Sequence, residues 1–426
     1  MEKLKQIWNS KSLRKKILFT LGIIVLYRML AQISIPGINL ANLQAIYERN
    51  EFLNLFSVLT GGSAENFSII LMGLSPYINA SIIIQLLTVV IPKLEEMSKE
   101  GESGQKKINS MTRWLTLPLA LLQSYGMILL LNSQAPVISN VNDPAVILPI
   151  MLTVSGGTVL LMWMGELIGE HGIGNGISLL ILGSIIATVP TALAQNLTLA
   201  IQDPEQLIPV IVLLLVTIIL IVSTVMITEG RRDIPISYAS RSQKGHLSSL
   251  PIRINQAGMI PIIFAVSVIS FPTLLGQLTQ NSTVPFLQNF STFASRYLGY
   301  QGPLYLVLLF LLILAFTYFY VTITFNPEQV AENIQKRGGY IPGIRPGKAT
   351  EKYLGQVSMR LTLFGGIFIG LIAVLPPIIQ TIIGGSTNSL PLLISGAGIL
   401  IIVGVILDLL RQINAELIIH DYDKLY

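Results

Sequence analysis

Ten long apolar stretches constrain what this chain can fold into. Each is close to the length of about 20 residues that a helix needs to cross a bilayer. The stretches are unbroken, which indicates helices, because the strands of a membrane barrel alternate between apolar and polar residues. We therefore predict an all-α polytopic membrane protein with ten transmembrane helices. The stretches cover residues 17–34, 68–91, 112–132, 146–168, 173–194, 207–228, 255–276, 303–325, 359–384 and 390–411.

The composition excludes a soluble globule. Only 12% of the residues are charged and 52% are hydrophobic, whereas about 25% of the residues in an ordinary soluble domain are charged. The chain has no cysteine, which excludes disulfides, thiolate metal sites and thiol catalysis. Its three histidines are far apart in the sequence, and the glycine-rich segments lack complete nucleotide-binding motifs. We therefore expect no enzyme activity, no metal and no cofactor, and any energy must come from outside this chain.

The basic residues fall almost entirely on one side of the predicted membrane. All but three of the 27 Lys and Arg residues lie on the side that also holds both termini. The exceptions are Arg28, inside the first stretch, and Arg49 and Arg296 on the other side. Cytoplasmic loops carry the excess of Lys and Arg in membrane proteins, so we expect both termini to be cytoplasmic.

The second and seventh stretches each combine an interior proline, Pro76 or Pro261, with polar residues. These positions match if the ten spans form two five-span halves, and interrupted helices at matching positions indicate the functional site of a transporter or channel. The polar residues commonly make helix-helix hydrogen bonds. The alternative to this structural role is a polar contact between the two helices that can open. The residues are Ser81, Gln85, Thr88, Asn255, Gln256, Ser267, Ser270 and Thr273.

Three connections are longer than a helix bundle needs. The loop from Ile35 to Asn66 contains an apolar piece, Phe52 to Leu59, that is too short to cross the bilayer at about 1.5 Å per residue. It is expected to be an interfacial helix or a re-entrant segment. The loops from Glu229 to Arg253 and from Asn326 to Arg360 are basic. The second one contains a turn-rich stretch, Gly338 to Gly347, which favours docking of a partner.

Five segments resemble the signature motifs of the bacterial SecY family, the membrane channel of the general protein-secretion pathway. They occur in the order of the family and cover nearly the whole chain. The resemblance implies a passive protein-conducting channel of the bacterial cell membrane that moves unfolded secretory polypeptides and releases apolar segments laterally into lipid. The segments are PYINASIIIQLL from Pro76, KEGESG from Lys99, GIGNGIS from Gly172, NQAGMIP from Asn255 and the stretch from Tyr340 to Gly347.

The resemblance also implies two inverted five-helix halves, residues 1–200 and 201–426, around a central hourglass pore. A ring of branched aliphatic side chains would close that pore. Such side chains make no fixed hydrogen-bond demand on a passing polypeptide, and a narrow apolar constriction resists water and ions by dewetting. The ring implied by the resemblance consists of Leu74, Ile78, Ile177, Ile181, Ile263 and Ile401.

A plug, a lateral gate and a docking surface follow from the same resemblance. The plug would be Phe52 to Asn66, with Phe52, Leu55, Phe56, Leu59, Gly61 and Gly62 as its main residues. The second and seventh spans would form the lateral gate, with Pro76, Asn79, Gln85, Pro261 and Ser267 along it. The docking surface would use Arg345, Arg241, Lys244, Arg337 and Lys348. The implied partners are the SecE and SecG membrane subunits, the SecA motor, the ribosome, precursor polypeptides and the lipid bilayer, without sequence-specific nucleic-acid binding.

Three positions depart from the family pattern. Leu74 replaces the isoleucine that is common in the ring, and this change should preserve closure. Gly404, one turn beyond Ile401, is smaller than the usual branched residue. The segment from Tyr238 to Arg241 lacks the basic residue that commonly precedes the arginine, which lowers the expected share of this loop in docking.

Two other functions compete with a passive channel. A secondary transporter of a small solute also uses inverted repeats and broken helices, but the predicted midplane lacks a charged or strongly polar substrate cluster. A purely structural scaffold explains neither the plug-like loop nor the paired prolines. The sequence therefore favours the channel.

Overall fold

The computed structural model describes residues 10–49, 57, 62–138, 140–141, 143–202, 204–238, 248–279, 284–298, 302–383 and 395–423. Each of the ten predicted stretches contains a helix within this part of the chain. The first helices are α1 (Lys11–Leu30), α2 (Leu40–Arg49), α3 (Ser75–Val90), α4 (Pro92–Lys99), α5 (Glu102–Gln134), α6 (Pro144–His171) and α7 (Gly176–Gln202). They are followed by α8 (Leu207–Glu229), α9 (Ile260–Leu278), α10 (Pro285–Tyr297), α11 (Pro303–Thr324), α12 (Pro327–Lys336), α13 (Lys348–Ile383) and α14 (Gly396–Asp423).

The described helices have the length and composition of a polytopic membrane protein. Seven of them are long and apolar enough to cross a membrane, and α3 with α4 makes an eighth if this bent pair is one span. The remaining predicted spans correspond to α1, which begins with basic residues, and to α9, whose apolar part Ile260–Ser270 is shorter. Their exposed surfaces are rich in large hydrophobic side chains, as expected for surfaces that face lipid.

The bend between α3 and α4 measures 103° and occurs at Ile91 and Pro92. Proline disfavours helical backbone at the residue before it, and Ile91 accordingly has extended backbone. Pro92 then provides the first turn of α4, where its missing N–H is not needed. This bend ends the apolar helix at the point that the sequence predicted, residue 91.

Pro76 and Pro261 do not interrupt helices, contrary to the sequence prediction. Pro76 is the second residue of α3, and Pro261 is the second residue of α9. The predicted spans begin at residues 68 and 255, but residues 68–74 and 254–259 form turns. Both prolines therefore lie in the first turn of a helix, the position in a helix where proline is best tolerated.

The chain folds into two compact units. The first comprises Met1–Pro204, Ser267–Tyr305 and Val405–Tyr426, and the second comprises Glu205–Val266 and Leu306–Gly404. The predicted division into halves at residue 200 stays a prediction.

The first unit has an apolar core to which the long loop after α1 contributes several residues. Leu43, Ala64 and Phe67 of this loop are fully buried, and they pack with residues from the end of α5 and the start of α6. The residues from those helices include Ile128, Leu131 and Val154. The described part of the loop between the first two spans is therefore packed against these helices.

The second unit contains a small antiparallel sheet that the sequence analysis did not predict. Strand β1 (Arg231–Tyr238) lies between β2 (Ser248–Arg253) and β3 (Gly339–Tyr340), and Arg231 pairs with Arg253. The sheet and α12 cover an apolar core that also includes the start of α13. The buried members of that core are Ile234, Ile236, Ile252, Ala331, Ile334, Ile341, Leu354 and Val357.

Two glycines in neighbouring helices allow the turn segments at residues 68–74 and 254–259 to pack closely against those helices. A Cβ on Gly157 of α6 would lie 1.9 Å from the carbonyl oxygen of Ile69, and a Cβ on Gly365 of α13 would lie 2.7 Å from that of Ile254. Both distances are too short for real carbon atoms. The absence of a side chain therefore allows each backbone to approach. The two glycines lie in the fourth and ninth predicted spans, which are matching positions of two five-span halves.

We predict that Gly157→Ala destabilises the folded protein by about 1–3 kcal/mol, because the new methyl group overlaps the Ile69 carbonyl. The matched control is Gly156→Ala, since a Cβ at this adjacent position of the same helix meets no atom within 4 Å. The control should be neutral or slightly stabilising, because alanine favours helix over glycine. Thermal unfolding of the purified protein in detergent measures both. Equal midpoints for the two variants would contradict the close approach.

Candidate functional site

The segment that leads into α3 is fixed by backbone pairing with the end of the first span. The N–H of Ile35 donates to the carbonyl of Phe67 at 3.1 Å, and the N–H of Ile69 donates to the carbonyl of Ile33 at 3.1 Å. Ser34 and Ser68 form an isolated bridge between them. Part of the backbone at the non-helical start of the second predicted span thus finds hydrogen-bond partners on the neighbouring segment, as burial requires.

The predicted plug is only partly described. Phe52, Leu55, Phe56, Leu59 and Gly61 lie outside the described residues, whereas Ser57 and Gly62 lie within them.

Two hydrogen bonds join residues within the described part of the plug. The N–H of Gly62 donates to the carbonyl of Ser57 at 2.8 Å, and the hydroxyl of Ser57 donates to Glu65 Oε1 at 2.6 Å. Burial and the nearby carboxylate of Glu65 raise the pKa of the Tyr47 hydroxyl above its usual range, which keeps it neutral. Among the residues that the structure describes, its buried oxygen has no hydrogen-bond partner.

Four predicted ring residues belong to the first unit. Leu74 precedes α3 and is 8% exposed, and the N–H of Ile78 donates to the carbonyl of Leu74 at 3.0 Å. These two residues are therefore one helical turn apart. Ile177 and Ile181 are likewise one turn apart in α7, where Ile177 packs against Gly165 of α6.

The other two predicted ring residues belong to the second unit. Ile263 is in the first turn of α9, where its N–H donates to the carbonyl of Met259 at 3.4 Å. Ile401 is in α14 and is buried. Gly404, one turn later, lies near Met259, so a side chain at this position would contact the turn before α9. The ring formed by all six residues stays a prediction.

The predicted gate residues occupy α3 and α9. Pro76 and Pro261 are buried, while Asn79, Gln85 and Ser267 are half-buried. The turn before α9 is held by Asn255, whose side-chain oxygen accepts from the N–H of Gly258 at 2.9 Å. The role of these residues as a gate stays a prediction.

Three of the predicted docking residues are exposed on the second unit. Arg337 follows α12, Arg345 lies in the turn after β3, and Lys348 begins α13. The carbonyl of Arg345 accepts from the hydroxyl of Thr350 at 2.9 Å, which fixes the turn to the helix. The other two, Arg241 and Lys244, lie outside the described residues.

Sequence analysis missed the core beneath this surface. Ile234 and Ile236 of β1 alternate with exposed residues, and both are buried. A period of two is the pattern of a half-buried strand, so the signal was present between Arg231 and Tyr238. The described parts of the two basic loops form one folded element.

Sequence analysis also missed an ion pair between two predicted spans. Arg113 of α5 donates through Nε to Glu166 of α6, with 2.6 Å between Nε and Oε1. A second ion pair lies within α14, where Arg411 donates through Nη1 to Asp408 Oδ1 at 2.9 Å. Charged groups near the apolar region thus have a partner in these two cases, as their desolvation requires.

Comparisons with known proteins agree with this architecture. The family model described as SecY matches residues 68–410. The protein translocase subunit SecY of Mycobacterium bovis is 41% identical over 431 residues, which cover 96% of this chain and 96% of that protein. The SecY subunit of Pseudomonas aeruginosa is 38% identical, with 99% of this chain and 93% of that protein covered.

Solved structures of translocation channels share the fold. A protein-conducting channel aligns with a TM-score of 0.68 at 20% identity, covering 95% of this chain and 92% of that chain. Sec61 in a canine ribosome-channel complex from the endoplasmic reticulum aligns with a TM-score of 0.65 at 20% identity, covering the same shares.

The fold and these relationships define a multi-span membrane channel for polypeptides. The chain belongs to the SecY family of protein translocase subunits. A secondary transporter of small solutes is not favoured by these relationships.

We predict that Leu354→Ala loosens the folded loops of the second unit. Leu354 is fully buried in their core, and removing such a side chain costs about 2–5 kcal/mol. Trypsin should then cut faster at Arg232, Lys336 and Arg337 in the purified full-length protein. The control is Met359→Ala on the same helix, where the side chain is 63% exposed. Unchanged cutting of the Leu354 variant would show that this core does not hold the loops.

Proposed function

We propose that this chain forms the pore of a translocase that moves unfolded secretory polypeptides across the bacterial cell membrane and releases apolar segments into lipid. The observation that carries the proposal is the identity of about two residues in five with SecY subunits along nearly the whole chain. Both termini are proposed to be cytoplasmic, because that side holds nearly all Lys and Arg residues. The chain is proposed to act without enzyme activity of its own.

The pore is proposed to lie between two halves of the sequence, residues 1–200 and 201–426, and to close at the six-residue ring. Branched aliphatic side chains suit this role because they impose no hydrogen-bonding geometry on the polypeptide that passes. The pairs Leu74 with Ile78 and Ile177 with Ile181 support it, since each places two such side chains one turn apart. The plug, Phe52 to Asn66, would block this ring in the resting channel.

Site-specific crosslinking tests the proposed pore. A photoreactive residue placed at Ile78 or Ile181 should crosslink to a secretory precursor stalled during export. The controls are Ile83 on α3 and Ile186 on α7, which are exposed hydrophobic residues on other faces of the same helices. These positions should crosslink to lipid or to no polypeptide.

Two outcomes would contradict the pore assignment. One is equal crosslinking at the ring and control positions, which would show that the precursor does not contact these faces selectively. The other is solute flux coupled to an ion gradient together with no precursor crosslinks, which would favour a transporter.

The docking surface is proposed to bind the SecA motor and the ribosome, and SecE and SecG are proposed as membrane partners. Support comes from the exposure of Arg337, Arg345 and Lys348 on a folded element that fixes their positions. The Sec61 and Ssh1 channels that share the fold are described in complexes with ribosomes. Arg345 is the strongest candidate, because the turn that presents it is hydrogen-bonded to α13.

We predict that Arg345→Glu abolishes motor-driven export and leaves membrane insertion and orientation unchanged, since many other basic residues remain on that side. Export of a precursor into vesicles, with protease mapping of orientation, measures both properties. The control is Lys15→Glu, the same kind of charge reversal at an exposed residue of α1, which should retain export. Loss of insertion together with export would assign Arg345 to topology and not to docking.

The lateral gate is proposed to be formed by α3 and α9. Each of these helices starts with a proline after a turn segment that a glycine of a neighbouring helix holds in place. Their polar residues, including Asn79 and Ser267, would make a seam that separates at a lower cost than a well-packed apolar one. A signal sequence needs such an opening, because it must leave an aqueous pore for lipid.

We predict that Asn79→Leu and Ser267→Leu change how strictly export depends on a functional signal sequence. Each change of about 1.4 kcal/mol in the free-energy difference between the open and closed states of the gate changes the ratio of their populations about tenfold. The measurement is export of precursors with intact and defective signal sequences. The control is Thr153→Leu, at an exposed position of α6, which should leave the dependence as it is. A disulfide that joins α3 to α9 should also block export reversibly, and undiminished export through it would eliminate the gate.

A further inference from the structure

Helix α10, between the seventh and eighth predicted spans, has three distinct faces. At 3.6 residues per turn, residues 287, 291, 294 and 298 lie on one line. Residues 286, 290, 293 and 297 lie on a second line and are all aromatic. The third face carries polar residues, namely Gln288, Asn289, Thr292 and Arg296.

The first face packs against the end of α9. Ser291 is 2% exposed and Ala294 is 1% exposed. A Cβ on Gly276 of α9 would lie 2.3 Å from the Cβ of Ala294, so the two helices meet at a glycine and an alanine. Because small residues allow backbones to approach closely, α10 is held directly on α9.

The aromatic face is largely uncovered. Phe286 is 77% exposed, Phe293 is 46% exposed and Tyr297 is 39% exposed. The rings of Phe293 and Tyr297 lie 5.2 Å apart, and the guanidinium of Arg296 lies over the Tyr297 ring at 5.7 Å. A soluble surface rarely exposes a continuous row of large aromatic side chains unless another phase or molecule covers it.

Chain connectivity places this face at the boundary of the membrane. Only residues 279–284 separate α9 from α10, and only residues 298–302 separate α10 from the apolar spanning helix α11. At about 3.5 Å per residue, neither connection can carry α10 far from the membrane surface. Phe and Tyr on one face, polar residues on another and a basic residue beside them are typical of helices that lie in the lipid headgroup region.

We propose that α10 is an interfacial anchor whose aromatic face lies in the lipid headgroup region of the outer leaflet and holds the external end of α9 at the bilayer surface. Phe286, Phe293 and Tyr297 would enter the boundary between headgroups and acyl chains. Arg296 would reach the phosphate groups, as long basic side chains do at this depth. The partner is the lipid itself, and the inference does not depend on what passes through the channel.

Spin labels test this anchor, because the chain has no cysteine that must first be removed. Phe293→Cys places a nitroxide label on the aromatic face, and Thr292→Cys places one on the adjacent polar face, where the native residue is also exposed. The full-length protein is reconstituted in vesicles of phosphatidylethanolamine and phosphatidylglycerol. Collision rates of each label with oxygen, which concentrates in lipid, and with a water-soluble nickel chelate report its surroundings.

The ratio of oxygen to nickel collisions should be severalfold higher at position 293 than at position 292. Phe286→Cys and Gln288→Cys provide a second pair if the first variant misfolds. Equal ratios at both faces would place α10 in water and overturn the proposal. Protection of position 293 from both reagents would also overturn it, because it would show that protein and not lipid covers the aromatic face.

Discussion

Every N–H and C=O group of a backbone in lipid must find a partner within the protein, and the rest of this structure depends on that constraint. Helices meet it within one segment, which is why the apolar stretches are helical. Where the backbone departs from helix, other groups supply the partners. Residues 67–69 pair with residues 33–35, and Asn255 accepts from Gly258. Irregular backbone is therefore found where neighbouring elements can satisfy it.

Steric fit is a second constraint on the two turn segments before α3 and α9. Each segment must pack tightly against another helix, and this requires a glycine in that helix, Gly157 or Gly365. Because the two glycines lie in the fourth and ninth predicted spans, the same solution occurs once in each proposed half. This correspondence supports the inverted-repeat interpretation at a level of detail that residue identities do not reveal. The contacts of these glycines also fix the position at which each proposed gate helix begins.

The connections between spans hold the proposed plug and docking residues, and the described parts of these connections are folded. The loop after α1 packs its apolar residues in the first unit, and the two basic loops share a sheet and a core in the second. A docking arginine on such a surface is positioned by the hydrophobic packing beneath it. In α10, small residues face the protein and aromatic residues remain uncovered, which provides an attachment to α9 and a surface for lipid.

The sequence by itself determined the helical membrane fold, the positions of the apolar helices and the membership of the SecY family. A long unbroken apolar stretch forms a helix in lipid, because a helix satisfies its backbone hydrogen bonds within one segment. The family motifs are recognisable because each is a short continuous segment. Tertiary structure decided where α3 and α9 begin, because the pairing of residues 67–69 and the contacts of Gly157 and Gly365 join segments distant in the chain. It also decided the sheet, since Ile234 and Ile236 are buried only when α12 and α13 cover them. The period-two pattern of β1 indicates a strand, but the contacts that bury it join segments distant in the chain, and local composition and periodicity do not encode those contacts.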